Sequence, residues 1–301
     1  MGHPRCVVPG ATYLVTRRCY QRTFRLRPSA RTTAIFSYCL ALALEKTGVL
    51  LHAVCVMSNH HHLVVTDPRG VLPDFLRELH RSTAKAINAS QRQWETLWAA
   101  EQCSAVRLAD DQTILEKIAY VATNPVAAGL VEQPDQWPGL TRWESSAERV
   151  ERPDDYFGEH GTSPPRATLQ VVPPVFSGNT TEDRAEWPRR LKASVKRSVA
   201  EAQRMIRATG RRFLGAAGVL AQSFVKKARS YEIKRGLVPR VAAKDRSLRR
   251  ALIRSEQVFR ALYSGALSDW RAGLRSVVFP FGTWWMRVHH AALIALAPSV
   301  A

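Results

Sequence analysis

Acidic side chains are scarce in this chain of 301 residues. Only 25 Asp and Glu stand against 44 Lys and Arg, a formal net charge of +19. The shortfall leaves a surface suited to a polyanion, either nucleic acid or an anionic membrane. Cysteine is sparse as well. Cys6, Cys19, Cys39, Cys55 and Cys103 are odd in number and nowhere spaced as CxxC. That argues against a disulfide framework and against a zinc knuckle, and fits a reducing cytoplasm. No apolar run is long enough to span a bilayer, the longest lying near 34–44 and 291–298. Arg5, Arg17 and Arg18 flank only a short apolar stretch, so no secretory signal is expected. There is no P-loop and no internal repeat. The aromatic Gly-Phe-Val-x-Phe strand of RNA-binding ferredoxin-like modules is also missing.

The positive charge that is present is unevenly spread. Residues 1–150 hold 17 basic and 13 acidic side chains, net +4, whereas 184–260 alone hold 22 and 5, net +17. Length suggests about two domains. Proline, glycine and serine punctuate 131–188, which reads as a linker or an irregular wrap. The expected division is a first domain over 1–145, a Pro-rich linker over 146–188 and a basic helical region over 189–301. If the basic block is a DNA-binding appendage, a chain ending near residue 150 keeps its chemistry. If its apolar stripe of Leu191, Val195, Val199, Ala202 and Ile206 packs on the first domain, it does not.

Within the first half, period-2 alternation predicts strands over 11–19, 49–57 and 61–66. A fourth is expected within 94–108. Helices are expected from Pro28-Ser29 to Thr47, stopped by Gly48, from Leu72 to Asn88, and from Gln112 to Asn124 behind an Asp110-Asp111 cap. Pro125 is expected to end the last of these. On the second helix Leu72, Phe75, Leu76, Leu79 and Ala86 face inward, and Arg77, His80, Arg81 and Lys85 face out. The order strand, helix, strand, strand, helix, strand is that of a ferredoxin-like α+β fold, with a mainly antiparallel sheet and helices on one face. Farther on, a helix is expected from Lys244 to Tyr263, and the tail Val277–Trp285 is apolar and aromatic.

The most informative stretch is Met57-Ser58-Asn59-His60-His61-His62. Alternate side chains of a strand share a face, so His60 and His62 point one way and His61 the other. Two imidazoles side by side on a strand make half of a divalent-metal site. A lone histidine pair is more often a surface or a satisfied core feature than a ligand pair. Farther on, Tyr120 and Asn124 are four apart and share a helix face, an arrangement that an amphipathic boundary also produces.

Together the two motifs are more specific. Met57–His62 and the run Tyr-Val-Ala-Thr-Asn-Pro-Val-Ala-Ala-Gly-Leu from Tyr120 to Leu130 resemble the single-tyrosine HUH transposases, most nearly the REP-associated tyrosine transposases. The resemblance covers about residues 5–143. Ser58 replaces a usual proline, and His61 stands where an apolar residue is common. It is tolerated if its ring finds a polar partner.

The resemblance implies metal-dependent cleavage and strand transfer of single-stranded DNA beside hairpins. His60, His62 and Asn124 would hold Mg²⁺ or Mn²⁺, and Tyr120 would be the nucleophile, forming a 5′-phosphotyrosine. Arg77, Arg81 and Lys85 are candidate phosphate contacts. Trp94 and Trp98 are candidate stacking platforms, with core packing as the alternative. The partner implied is hairpin DNA in the cytoplasm, at the nucleoid, with no membrane, and with the protein as monomer or homodimer. The competing expectation is a catalytically silent, domesticated DNA-binding protein of the same fold.

Overall fold

A computed structural model describes residues 4–157, 163–175, 180–228 and 239–297. β1 (Ala11–Arg18) leads to α1 (Ala30–Thr47). Ser29 caps α1 by accepting the Thr32 N–H, and Gly48 ends it at a left-handed φ of 69°. β2 (Leu50–Met57) and β3 (His60–Asp67) form a hairpin around Ser58-Asn59. The fully buried Asp67 carboxylate accepts the N–H groups of Arg69, Val71 and Leu72, which starts α2 (Leu72–Gln91). β4 (Ser104–Leu108) and α3 (Asp111–Ala127) complete the first half.

Then come β5 (Thr141–Arg142), β6 (Ser146–Glu151), β7 (Arg166–Val171), α4 (Thr181–Ala208) and α5 (Gly215–Leu220). β8 (Val241–Ala242), α6 (Arg246–Arg271), β9 (Val278–Phe279), α7 (Trp285–His290) and β10 (Leu293–Ile294) follow.

The main sheet runs β5-β2-β3-β1-β4-β8, antiparallel throughout except where β8 lies parallel to β4. This is the α+β, ferredoxin-like arrangement expected. α1 and α2 lie together on one face, over Val15, Val54, Val56, Leu63 and Val65. The other face is covered as well. Ala53, Cys55, Met57 and Val64 pack there against α3 and α4, so helices cover both faces of the sheet.

Alternation explains this double burial. Leu63 and Val65 serve the α1–α2 core, and Val64 between them serves the α3–α4 core. The α4 stripe Trp187, Leu191, Val195, Val199 and Ala202 belongs to that second core, with Trp187 continuing it N-terminally. The basic region is therefore fastened to α3 through its first helix.

Several boundaries differ from the sequence expectation. The fourth strand is only Ser104–Leu108, and the preceding residues contribute a single bridge between Cys19 and Trp98. α3 continues through Pro125 to Ala127. A proline forgoes one helical N–H bond, a loss tolerated in this last turn. The stop is instead Gly129 at φ 73°, with the Leu130 N–H bonded to the Pro125 carbonyl.

Where a Pro-rich linker was expected, β6 and β7 form a hairpin whose Val150, Ala167, Leu169 and Val171 join the α1 core. The described part of that stretch is a wrap. α4 begins at Thr181 and carries Pro188 inside it. α6 starts behind an Asp245 cap and runs to Arg271, past Tyr263. The apolar tail packs back on the molecule. Phe279 is fully buried beside α6, and Trp284 joins the α1–α2 core. Among the described residues no helix is long and apolar enough to cross a membrane.

Candidate active site

The site is built on β3, beside the central strand β1. Register places Thr16 opposite His62, Arg17 opposite His61 and Arg18 opposite His60. His60 and His62 share the sheet face that carries α3. Their ring centroids are 4.7 Å apart, with planes at 85°.

Each ring is held through Nδ1. His62 Nδ1 lies 2.8 Å from Thr16 Oγ1, and His60 Nδ1 lies 2.7 Å from Asn59 Oδ1. The His62 Nε2 atom is buried and has no hydrogen-bond partner among the described residues. Burial, and then the neighbouring charges of His60, His61 and Arg18, hold His62 well below the usual histidine pKa. The ring is therefore neutral at physiological pH, with a lone pair available at Nε2 when the Nδ1–H donates to Thr16.

Tyr120 comes to this pair from α3. Its ring meets the His62 ring edge-on at 5.3 Å, and it is 41% exposed, enough to meet a macromolecular substrate. Lys117, one turn earlier, places its Nζ 5.6 Å from the Tyr120 ring centroid. Asn124, one turn later, is buried. No hydrogen bond ties its carboxamide to either histidine among the described residues. Arg18 is exposed and faces the histidines from β1.

Among the described residues no group of three His, Cys, Asp or Glu side chains forms a metal cage. The side chains that could hold a divalent ion here are His60 and His62, with the Asn124 carboxamide one helical turn beyond Tyr120. The orphaned His62 Nε2 fits such a role, and so few protein ligands leave positions for substrate oxygens.

His61 points to the opposite face, as alternation requires. Its Nε2 lies 3.0 Å from His80 Nε2, and Phe36 and Trp98 surround it. His80 was expected among outward polar residues, yet it is buried beside this partner, and the Trp98 indole N–H donates to its carbonyl. Burial lowers the His61 pKa to about 3, so the pair is a neutral hydrogen bond inside a core. Trp98 is core, whereas Trp94 is 96% exposed.

Arg77, Arg81 and Lys85 lie on α2, across the sheet from Tyr120. Arg77 pairs with Asp74 at 2.7 Å, and Arg81 lies 3.8 Å from Glu78. The structure does not bring these three side chains to the histidines. Thr16, Asn59 and Lys117 were not foreseen as site residues. Lys117 carries an advance signal, standing three residues before Tyr120 on the same helix. Which strand neighbours which is a tertiary fact.

No family model matches this sequence, and no curated protein does. Among solved structures the search finds partial matches. The chain is similar to a REP-associated tyrosine transposase. That structure, bound to a REP hairpin, aligns over 47% of this chain and 81% of its own, with 16% identity and a TM-score of 0.40. The crystal structure of a candidate transposase from Deinococcus radiodurans R1 aligns over 40% of this chain and 95% of its own, with 20% identity and a TM-score of 0.29.

Proposed function

We propose that this chain is a transposase-type DNA strand transferase, which cleaves single-stranded DNA beside a hairpin through a covalent tyrosine intermediate. The observation that carries the reading is the contact of Tyr120 with His62, whose buried Nε2 has no hydrogen-bond partner among the described residues. A phenol, two adjacent imidazoles and a carboxamide one helical turn away make a nucleophile beside a place for a divalent ion. These are the residues that the two sequence motifs name.

In this reading the Tyr120 oxygen attacks the scissile phosphorus. A phosphorus–oxygen bond to Tyr120 forms as the bond to the 3′ oxygen breaks. The phenolic proton is lost, and the departing 3′ oxygen gains one. The products are a 5′-phosphotyrosine and a free 3′-hydroxyl. The phosphodiester energy is conserved in the adduct, so rejoining needs no ATP.

An unassisted tyrosine has a pKa of about 10 and is a weak nucleophile at neutral pH. Lys117 and Arg18 place positive charge on the side where phenolate and phosphate charge develop. Thr16 and Asn59 fix the imidazole orientations. Mg²⁺ or Mn²⁺, held by His60, His62 and Asn124, would supply Lewis-acid polarisation of the phosphate.

The test is a hairpin-flanked single strand incubated with protein and Mn²⁺. A covalent adduct resistant to denaturant, mapped to Tyr120 and missing in Tyr120→Phe, is the expected result. No adduct on any hairpin substrate, with the protein folded and DNA bound, would instead mark a silent DNA-binding descendant.

A further inference from the structure

On the other side of the sheet, remote from Tyr120, lies a groove of about 1040 Å³ bounded by the N-terminal segment, the start of α2, α6 and α7. Its volume is comparable with the largest small-ligand sites, roughly 300–1,000 Å³. The ionisable residues lining it are basic: Arg5 and Arg77 from the first half, Arg260 and Arg271 from α6, and His290 from α7. Asp74 lies at its edge and pairs with Arg77 at 2.7 Å. The aromatic lining includes Trp270, Trp284 and Trp285, and Trp285 is 56% exposed. The Trp284 indole is fixed by a 3.2 Å hydrogen bond to Asp74.

We propose that this groove is a second binding site for unpaired DNA, separate from the cleavage site. Four guanidinium groups around a single edge carboxylate, Asp74, favour a polyanion. The exposed Trp285 indole beside them favours flat rings, and a single strand carries both on one backbone. An acidic peptide would satisfy the arginines and leave the rings idle. A rigid duplex would present phosphates and hide its base faces. The groove joins residues from both ends of the chain, so it exists only because the extension folds back on the first half. Its occupant would be the single strand next to a hairpin whose other part is held at His60, His62 and Tyr120. The inference rests on reading the chain as a DNA-binding protein, and does not depend on the chemistry at Tyr120.

The experiment uses the full chain and a fluorescent oligothymidylate of about 12 nucleotides, within the span one single-strand site covers. Removing one stacking ring weakens single-strand binding about 5-fold or more. Trp285→Ala is expected to show that loss, while Trp285→Phe, which keeps a ring, recovers most of it. Arg260→Gln is expected to flatten the salt dependence by about one phosphate contact. An oligothymidylate carrying 5-iododeoxyuridine should photo-cross-link to the Trp285 peptide, in wild type and in Tyr120→Phe alike. Unchanged affinity in Trp285→Ala, cross-links confined to other peptides, or equal loss of duplex binding would each overturn the proposal. Failure of cleavage with these results intact would count against the proposed function and leave the groove standing.

Discussion

Leu191→Ala tests whether the basic extension is structural support for the Tyr120 helix. Leu191 is 3% exposed and sits in the core shared by α3, α4 and the sheet face of Val64. Truncating a fully buried leucine costs about 2–5 kcal/mol, the transfer loss plus the cavity left behind. Val195 and Trp187 flank it on the same stripe, so the hole cannot close without moving α4 against α3. Net stability of a domain is about 5–15 kcal/mol, so this one change removes a large share.

Urea unfolding followed by far-ultraviolet circular dichroism should show a lower midpoint for Leu191→Ala. Adduct formation at Tyr120 should fall in parallel, because α3 carries the nucleophile. By the same reasoning a chain ending near residue 150 loses Trp187, Leu191, Val195 and Val199 together. Their burial amounts to about 6–12 kcal/mol gross at about 1.5–3 per side chain. Such a chain should be unfolded or insoluble. A soluble, cooperatively folding truncation that still forms the adduct would refute the reasoning and return α4 to the status of an appendage.

Replacing His60 or His62 by alanine should abolish divalent-metal-dependent cleavage while leaving hairpin binding largely intact, as gel shifts beside cleavage assays would show. Excess chelator should give the same phenotype in wild type. His61→Ala should spare cleavage but lower stability by about 1–3 kcal/mol, because it strands the buried His80 Nε2; loss of cleavage at full stability would contradict the strand assignment. Thr16→Val removes the partner of His62 Nδ1 and should weaken metal affinity about 10- to 100-fold, read by Mn²⁺ titration.

His52 should make stability depend on pH. Burial lowers its pKa to about 4 from 6.5, and it is bonded to the Val172 carbonyl and to Thr66. In that window the unfolded chain binds a proton that the folded chain refuses. The contribution is thus present above about pH 6.5 and is lost as pH falls towards 4, up to about 3 kcal/mol. A flat stability profile across that range, or one unaltered in His52→Gln, would count against it.

Much of this molecule is legible from local patterns. Ser29 and Gly48 delimit α1 because capping and a left-handed stop are local chemistry. The split of His60 and His62 from His61 follows from strand alternation alone, and so did the need for a polar partner for His61. The pairing of Tyr120 with Asn124 follows from helical spacing. None of these needed long-range contacts.

What tertiary structure decided involves partners far apart in sequence. His80 reads as an outward polar residue on its helix, and only the packing of α2 under β3 turns it into the buried partner of His61. Pro125 reads as a helix end, yet the turn at Gly129 is where the chain leaves α3. Thr16 becomes the holder of His62 because β1 and β3 are neighbours, which alternation cannot foretell. The proline-rich stretch and the basic stripe read as linker and appendage because composition reports solubility and charge. Whether an apolar stripe finds a face to cover is settled by the sheet, and here the second face of the sheet was left open for α3 and α4.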